Sequence, residues 1–450
     1  MDTIVAVATS PGRSAIGIIR LSGPQSLEIL RGLVHDDRFT PEPRRIFLKQ
    51  FFREDGELLD SALISYYEAP HSFTGEAMVE LSCHGSPVIL RRVLDLTQSL
   101  GARLAEPGEF TLRACRNEKM NLSQAEAIRD LINARTDAAA IQAARQLKGE
   151  LSTALQPAKE KLIQIIVRLE SALEFVEDDL PQIQVDQIAG ELTDVGTIVK
   201  NLAGTFASGR ALREGFMVAI VGRPNVGKSS LFNKLTGVSR AIVTDIAGTT
   251  RDSISETVSL RGIPISLTDT AGIRVATDRI EEIGVERTRQ AMADSDLLVV
   301  VIDGSDKLSA EDLAIVNEAM PARHVVALNK CDLAIEPTLM DQLGQSSQVV
   351  HVSALTGEGL EELGAAILAT FGALDSEKVG LLITDSRHYD LLRRAEASLQ
   401  DSVEALEESA SEEIVLVGLH SALQFLGEIT GETTADDILG EIFSTFCIGK

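Results

Sequence analysis

Phe216-Met217-Val218-Ala219-Ile220-Val221-Gly222-Arg223-Pro224-Asn225-Val226-Gly227-Lys228-Ser229-Ser230 is an apolar run that passes directly into a glycine-bounded loop. The loop has the form G-x-x-x-x-G-K-[ST], set where a strand hands over to a helix. Its glycines let successive backbone N–H groups and the helix N-terminus turn toward a polyphosphate, while Lys228 adds a point charge and Ser229 offers a hydroxyl to Mg²⁺. A strand with such a loop at its C-terminal end is the first unit of an α/β sheet, with a nucleotide as its default ligand.

Downstream, the runs Ile265 to Thr268, Leu297 to Ile302, His324 to Leu328 and Val349 to Val352 alternate with helical stretches. This alternation predicts a doubly wound parallel sheet of the Ras-like P-loop kind over residues 213–375. Asp269-Thr270-Ala271-Gly272 follows the first of these runs and brings a carboxylate near the Mg²⁺ and a glycine N–H near the γ-phosphate. Asn329-Lys330-Cys331-Asp332 follows the third, and Asp332 suits the N1–H and exocyclic amine of guanine, a donor pattern that adenine lacks. Ser353-Ala354-Leu355 completes the base pocket with backbone N–H groups. Thr244-Asp245-Ile246-Ala247-Gly248-Thr249-Thr250 lies where a first switch belongs, with Thr250 the candidate Mg²⁺ ligand that senses the γ-phosphate. The expected GTP contacts are therefore Asn225, Val226, Gly227, Lys228, Ser229 and Ser230, the segments 244–250 and 269–272, and Asn329, Lys330, Asp332, Ser353 and Ala354.

One position departs from Ras-like chemistry. Ile273 stands where a glutamine would orient the attacking water, so the water-positioning group must come from elsewhere. Glu281 and Glu282, downstream in the second switch, are the carboxylate candidates, and both also suit a solvated first helical turn, where the macrodipole favours acids.

The flanks have a different texture. Residues 1–117 alternate short strand-like runs (Ile4 to Thr9, Ala15 to Leu21, Ile46 to Phe52, Ala62 to Tyr67, Ala77 to Ser82) with turns and a helix near Pro87 to Leu100, an α+β pattern. From residue 118 the chain turns helical, with Ser123 and Glu126 reading as an S-x-x-E capping box. Helical periodicity returns after residue 375, in Ser386 to Glu408, Glu413 to Leu426 and Thr434 to Phe446. The economical organisation is an α/β domain, 213–375, inserted into an all-α domain made of 118–212 and 376–450.

Length and composition bound the rest. At 450 residues with 44% hydrophobic content the chain is long enough for two or three cores. No apolar run reaches the roughly 20 residues of a membrane span, and the N-terminus lacks a basic and apolar leader, so the cytoplasm is the simplest compartment. Cys83, Cys115, Cys331 and Cys447 form no C-x-x-C pair and predict neither a disulfide framework nor a zinc ribbon. The net charge of −25 opposes non-specific nucleic-acid binding. Residues 1–120 hold 14 Lys/Arg against 16 Asp/Glu, so any RNA meets least repulsion there.

Cys447, three residues before the terminal carboxylate, reads equally as a mobile nucleophile beside Lys450 and as a small hydrophobe closing the last helix. The clusters Ser72-Phe73-Thr74-Gly75-Glu76, Cys83-His84-Gly85 and Pro107-Gly108-Glu109-Phe110 have no metal-ligand spacing, and His84 alone reads as a hydrogen-bonded core or turn residue.

Together these segments closely resemble the MnmE, or TrmE, family of tRNA-modification GTPases over the full chain. The likeness is carried by Thr3-Ile4-Val5-Ala6 through Pro11-Gly12-Arg13, by Ser72 to Glu76, Pro107 to Phe110 and Gly248 to Asp252, and by Cys447-Ile448-Gly449-Lys450. Val226 departs from a commoner alanine, and Cys83 precedes His84. The resemblance implies a homodimer through N-terminal domains that bind 5-formyl-tetrahydrofolate, with Arg20, Glu80, Lys119 and Lys450 at the matching positions. It implies a heterotetramer with a FAD-containing MnmG (GidA) protein, and an aminomethyl-type group added at C5 of the wobble uridine of certain tRNAs. In that setting Cys447 is a candidate for covalent addition to uridine C6, a role the sequence does not separate from a structural one. The resemblance further implies G domains that pair around a K⁺ ion held by Asn225 and the carbonyls of Thr244, Ile246 and Thr249, with Glu281 orienting the water. Two other readings stand beside it: a ribosome-assembly GTPase, which predicts a basic appendage, and a folate-dependent aminomethyltransferase merely regulated by GTP.

Overall fold

The computed structural model describes residues 2–53, 55–174, 182–238, 254–269, 292–343, 348–371, 380–408, 411–432, 442–446 and 449. These divide into two compact units, 1–129 with 426–450, and 130–425.

The first unit is built on a six-stranded sheet: β1 (Ile4–Val7), β2 (Ile16–Ser22), β3 (Ile46–Phe52), β4 (Leu58–Tyr67), β5 (Met78–His84) and β6 (Arg103–Leu104), in the order β3-β4-β5-β2-β1-β6. All neighbours are antiparallel except β1 and β6. Period-2 alternation sends Ile19, Leu21, Ala62, Ile64, Val79 and Leu81 into a core shared with the helices Ser26–Val34 and Pro87–Ser99. The opposite face is covered around β1, where Ile4, Ala6, Ala105 and Phe110 form a small second core, and is open over β3, β4 and the start of β2. Leu48 pairs with Leu63, Leu63 with Ser82 and Ser82 with Ile18, and Ile16, Ile46, Leu48 and Leu63 are all exposed.

The helix expected from Ser123 begins earlier, at Leu122, and its cap differs from the sequence reading. Asn121 Oδ1 accepts from Gln124 N at 2.9 Å, and Gln124 Oε1 accepts from Asn121 N at 3.0 Å, a reciprocal box two residues upstream of Ser123 and Glu126. Ser123 is already inside the first turn and fully buried, so it is placed too late to satisfy the first N–H groups.

The second unit holds the other sheet: β7 (Phe216–Val221), β8 (Ile254–Leu260), β9 (Ile263–Asp269), β10 (Leu297–Asp303), β11 (His324–Asn329) and β12 (Gln348–His351), ordered β12-β11-β10-β7-β9-β8. Five strands are parallel and were legible as apolar runs; β8, which sequence reasoning passed over, adds an antiparallel edge to β9. Both faces are covered. Helices Lys228–Val238 and Leu360–Thr370 contribute Leu231, Phe232, Leu363 and Ile367 to one core, while Ala310–Ala319 and Leu339–Leu343 contribute Val316, Ala319 and Leu339 to the other. The chain enters this layer at Phe216 and leaves at Phe371, and the two rings stack with centroids 3.6 Å apart.

Helices Asp137–Leu147, Glu150–Glu174, Gln182–Gly204, Phe206–Glu214, Ser386–Glu407 and Glu412–Thr430 supply the all-α part. Leu155, Leu162, Ile165, Leu169, Leu192, Val195, Val199, Leu392 and Leu399 are buried at helical spacing. Arg213 ties chain segments from either side of the sheet, pairing with Asp130 at 3.0 Å and Asp385 at 2.7 Å. Asp385 also caps the helix Ser386–Glu407 by accepting from Arg387 N at 2.8 Å. Burial pushes the Asp385 carboxyl up, but His388 and Arg213 outweigh it and hold the group below the ordinary carboxylate range. Of the expected helix from Thr434 to Phe446, residues 433–441 lie outside the described residues.

Candidate functional site

At the C-terminal end of β7 the loop 222–228 bends through left-handed backbone at Asn225 (φ 66°) and Gly227 (φ 97°). A Cβ on Gly227 would lie 2.2 Å from Asn329 Nδ2, so the close approach of the two loops requires glycine. Lys228 Nζ donates to the carbonyls of Gly222 at 2.6 Å and Arg223 at 2.8 Å. Those bonds hold the ammonium over the loop. Ser229, Ser230 and Asn225 are exposed, and Val226 is packed in the core beneath.

Asn329, 2% exposed, joins the two halves of the site. Its Nδ2 donates to Val226 O at 2.8 Å, and its Oδ1 accepts from Ala354 N at 2.9 Å. Ser353 Oγ donates to Asp332 Oδ1 at 2.6 Å, fixing a carboxylate that is otherwise solvent-exposed. Lys330, with φ 68°, reaches Asp303 at the end of β10, 2.5 Å away. Burial raises the Asp303 carboxyl, yet Lys330 and Ser305 hold it below its ordinary value. The structure thus assembles Asn225–Ser230, Asn329, Lys330, Asp332, Ser353 and Ala354 along the ends of β7, β11 and β12. Gly227, whose space excludes a side chain, and Lys228, already aimed by carbonyls, fit a polyphosphate; exposed Ser229 fits an Mg²⁺ ligand. Asp269 ends β9, and its side chain lies outside the described residues, as do Thr244 to Thr250, Thr270, Ala271, Gly272, Ile273, Glu281 and Glu282.

A second polar site lies in the first unit. Arg20 on β2 and Glu80 on β5 are direct cross-strand partners, and Arg20 donates to Glu80 Oε1 from Nη2 at 2.7 Å and Nε at 3.0 Å. The guanidinium lies 5.5 Å from the Phe73 ring centroid and 5.9 Å from that of Phe110. Neither ring was predicted as a partner. The tail reaches the same place: Gly449 O accepts from Arg20 Nη1 at 3.4 Å, and a Cβ on Gly449 (φ 92°) would lie 2.6 Å from Val7 O. Lys119 is exposed, with its stem against Gly75. Cys447 and Lys450 lie outside the described residues. Tyr67, also unpredicted, has its hydroxyl pKa raised by burial and then by Glu80.

The remaining sequence clusters are structural in their contacts. Thr74 bonds Ser22, and Glu76 pairs with Arg113. His84 ends β5 with an exposed ring: its Nδ1 is 2.6 Å from the buried Asp60, which also accepts from His84 N, so it is hydrogen-bonded as expected but lies outside the core. Burial pushes the Cys83 and Cys115 thiols up to about 12, which removes them as nucleophiles near neutrality. Among the described residues no group of three metal-ligating side chains occurs, and no helix is long and apolar enough to cross a membrane.

Comparison with known proteins meets this geometry from a separate direction. A family model described as the MnmE helical domain matches residues 122–447, and one described as the GTP-binding protein TrmE N-terminus matches residues 3–119. The tRNA modification GTPase MnmE of Aquifex aeolicus is 47% identical over all of this chain and all of its own. Those of Koribacter versatilis and Laribacter hongkongensis are each 44% identical, over all of this chain and 99% of theirs. With these matches along its whole length, the chain belongs to the MnmE family of tRNA modification GTPases.

Proposed function

We propose that this chain works as a homodimer with a FAD-containing partner of the MnmG, or GidA, type, and that its GTP cycle drives modification at C5 of the wobble uridine, position 34, of certain tRNAs. The group added is aminomethyl or carboxymethylaminomethyl, built with a one-carbon unit from a 5-formyl-tetrahydrofolate or related folate. As a member of its family the chain is a GTP-hydrolysing enzyme of tRNA modification. The observation that carries the nucleotide half is the Asn329 side chain, which bonds the phosphate loop on one side and the base loop on the other. The phosphate loop and the base loop are thereby joined through one side chain.

In this reading Lys228 meets the β- and γ-phosphates, while Asp332, oriented by Ser353, accepts from guanine. Mg²⁺ at Ser229 and Thr250 neutralises charge developing on the phosphates when bound. Asn225, exposed at the loop apex, supplies the side-chain ligand of a K⁺ site with the carbonyls of Thr244, Ile246 and Thr249. Glu281 orients the attacking water that Ile273 cannot.

For the folate half, Arg20 and Glu80 present a charge pair flanked by Phe73 and Phe110. A carboxylate suits the pterin donor edge, and two phenyl rings suit a flat heterocycle. Lys119 and Lys450 suit the anionic glutamate tail. The row carrying Arg20 and Glu80 adjoins the exposed apolar row of Leu48 and Leu63, which supports a second copy covering this face. Cys447 is the candidate nucleophile toward uridine C6.

Mass spectrometry of wobble nucleosides from cells lacking this chain is the direct test. Modified uridine should disappear and return on complementation; unchanged nucleosides overturn the reading.

A further inference from the structure

The phosphate loop carries a charged side chain to which the function above assigns no role. Arg223 extends to the segment after β10, where Nη2 lies 3.2 Å from Asp306 Oδ2 and Nε lies 3.1 Å from Asp312 Oδ2. Asp306 is largely exposed, so its share is screened, but the Asp312 side chain is only 1% exposed. Asp312 stands in the first turn of the helix Ala310–Ala319, where Oδ2 accepts from Ser309 N at 3.0 Å and Ser309 Oγ at 2.7 Å. Its other oxygen, Oδ1, is buried and receives no hydrogen bond among the described residues, and Arg223 Nε is likewise buried without a hydrogen-bond acceptor there, so the Arg223–Asp312 contact is an ion pair and not a hydrogen bond. A carboxylate in that state is costly unless a cation stands against it. Arg223 is that cation.

The backbone of the same residue points to the chemistry. The carbonyl of Arg223 is one of the two that accept from Lys228 Nζ. One residue therefore joins a buried anchor in the helix layer to the carbonyl pair that aims the phosphate-binding amine.

We propose that Arg223 is a positioning residue for phosphate binding: its anchorage on Asp312 fixes the loop carbonyls that direct Lys228. The proposal rests on the nucleotide reading above, and it concerns the phosphate half of the site only. The hydrogen bonds given above for Asp332, Ser353 and Ala354, which serve the base, run to one another and to Asn329 and not to Arg223.

The test is calorimetric titration of the full chain with GDP and, separately, with guanosine, which has the base but no phosphate. Arg223→Ala should weaken GDP by about tenfold or more, the scale of leaving a buried carboxylate without its cation, and should shift guanosine by less than about twofold. Arg223→Lys keeps the charge without the fork and should recover part of the loss. Asp312→Asn approaches the same anchor from its other end without changing volume, and should reproduce the GDP-selective loss even if Arg223→Ala folds poorly. Wild-type GDP affinity in both Arg223→Ala and Asp312→Asn, or equal weakening of GDP and guanosine, overturns the proposal. Failure of the unmodified chain to bind GDP at all would instead overturn the nucleotide reading itself.

Discussion

The two sheets build polar sites in opposite ways. In the β7–β12 sheet both faces are buried under helices, and the polar residues gather in loops at the C-terminal ends of parallel strands. In the β1–β6 sheet one face is only partly covered, and Arg20 and Glu80 stand on it in mid-strand, brought together by antiparallel register. A loop at a strand end is contiguous in sequence, so its chemistry can be read as a motif. A cross-strand pair is made of single residues far apart in the chain, and nothing local marks it.

The largest effect should come from the residue that spans loops in the parallel sheet. Asn329→Ala removes two hydrogen bonds, one buried and one part-buried, worth about 2–3 kcal/mol together, and should lower GTP affinity roughly a hundredfold. Fluorescent-nucleotide titration measures this, and a loss under fivefold would show that phosphate and base loops hold position independently.

A second prediction concerns the helices that carry this sheet. Asp385→Asn strips the charge from a largely buried pair with Arg213 and should cost about 2–4 kcal/mol at neutral pH. Because the folded Asp385 is depressed below its unfolded value, its contribution is full above about pH 4 and is lost as pH falls through the folded value. Urea unfolding of both proteins across pH 3 to 7 should show the gap closing in acid; a gap that stays constant with pH would exclude the charge as its origin.

For the antiparallel site, Glu80→Gln should reduce tetrahydrofolate affinity by about tenfold, the scale of one charged hydrogen bond, while GTP affinity stays within twofold. Equal losses of both ligands would mean that the two sheets are not separate sites. The smallest effect tests the loop apex. GTP turnover should rise several-fold when Na⁺ is replaced by K⁺, and Asn225→Ala should abolish the rise; a variant that keeps its K⁺ response removes Asn225 from the site.

How far the sequence reached follows the same contrast. The five parallel strands read as apolar runs because strands buried on both faces have no polar alternation to blur them. β8 was passed over because its run, Ile-Ser-Glu-Thr-Val-Ser-Leu, is polar at four of seven positions and lacks the continuous apolar texture of the parallel strands. The helix after Asn121 was recognised but its cap misplaced, since two overlapping S/N-x-x-E/Q patterns lie within six residues and burial, not pattern, chose between them. The phosphate loop and Asn329 to Asp332 were legible residue by residue. Phe73, Phe110, Tyr67 and the role of Arg223 were not.

By itself the sequence determined which ligand class the parallel sheet receives, because glycines, a lysine and a serine at fixed spacing can form that loop in few ways. Family likeness supplied Arg20 and Glu80 as positions. Only the tertiary structure decided that they meet, that Gly449 brings the tail to them, and that a buried Asp312 holds the loop through Arg223. Register, burial and close backbone approach are properties of the packed chain, and they leave no spacing in the sequence to be read.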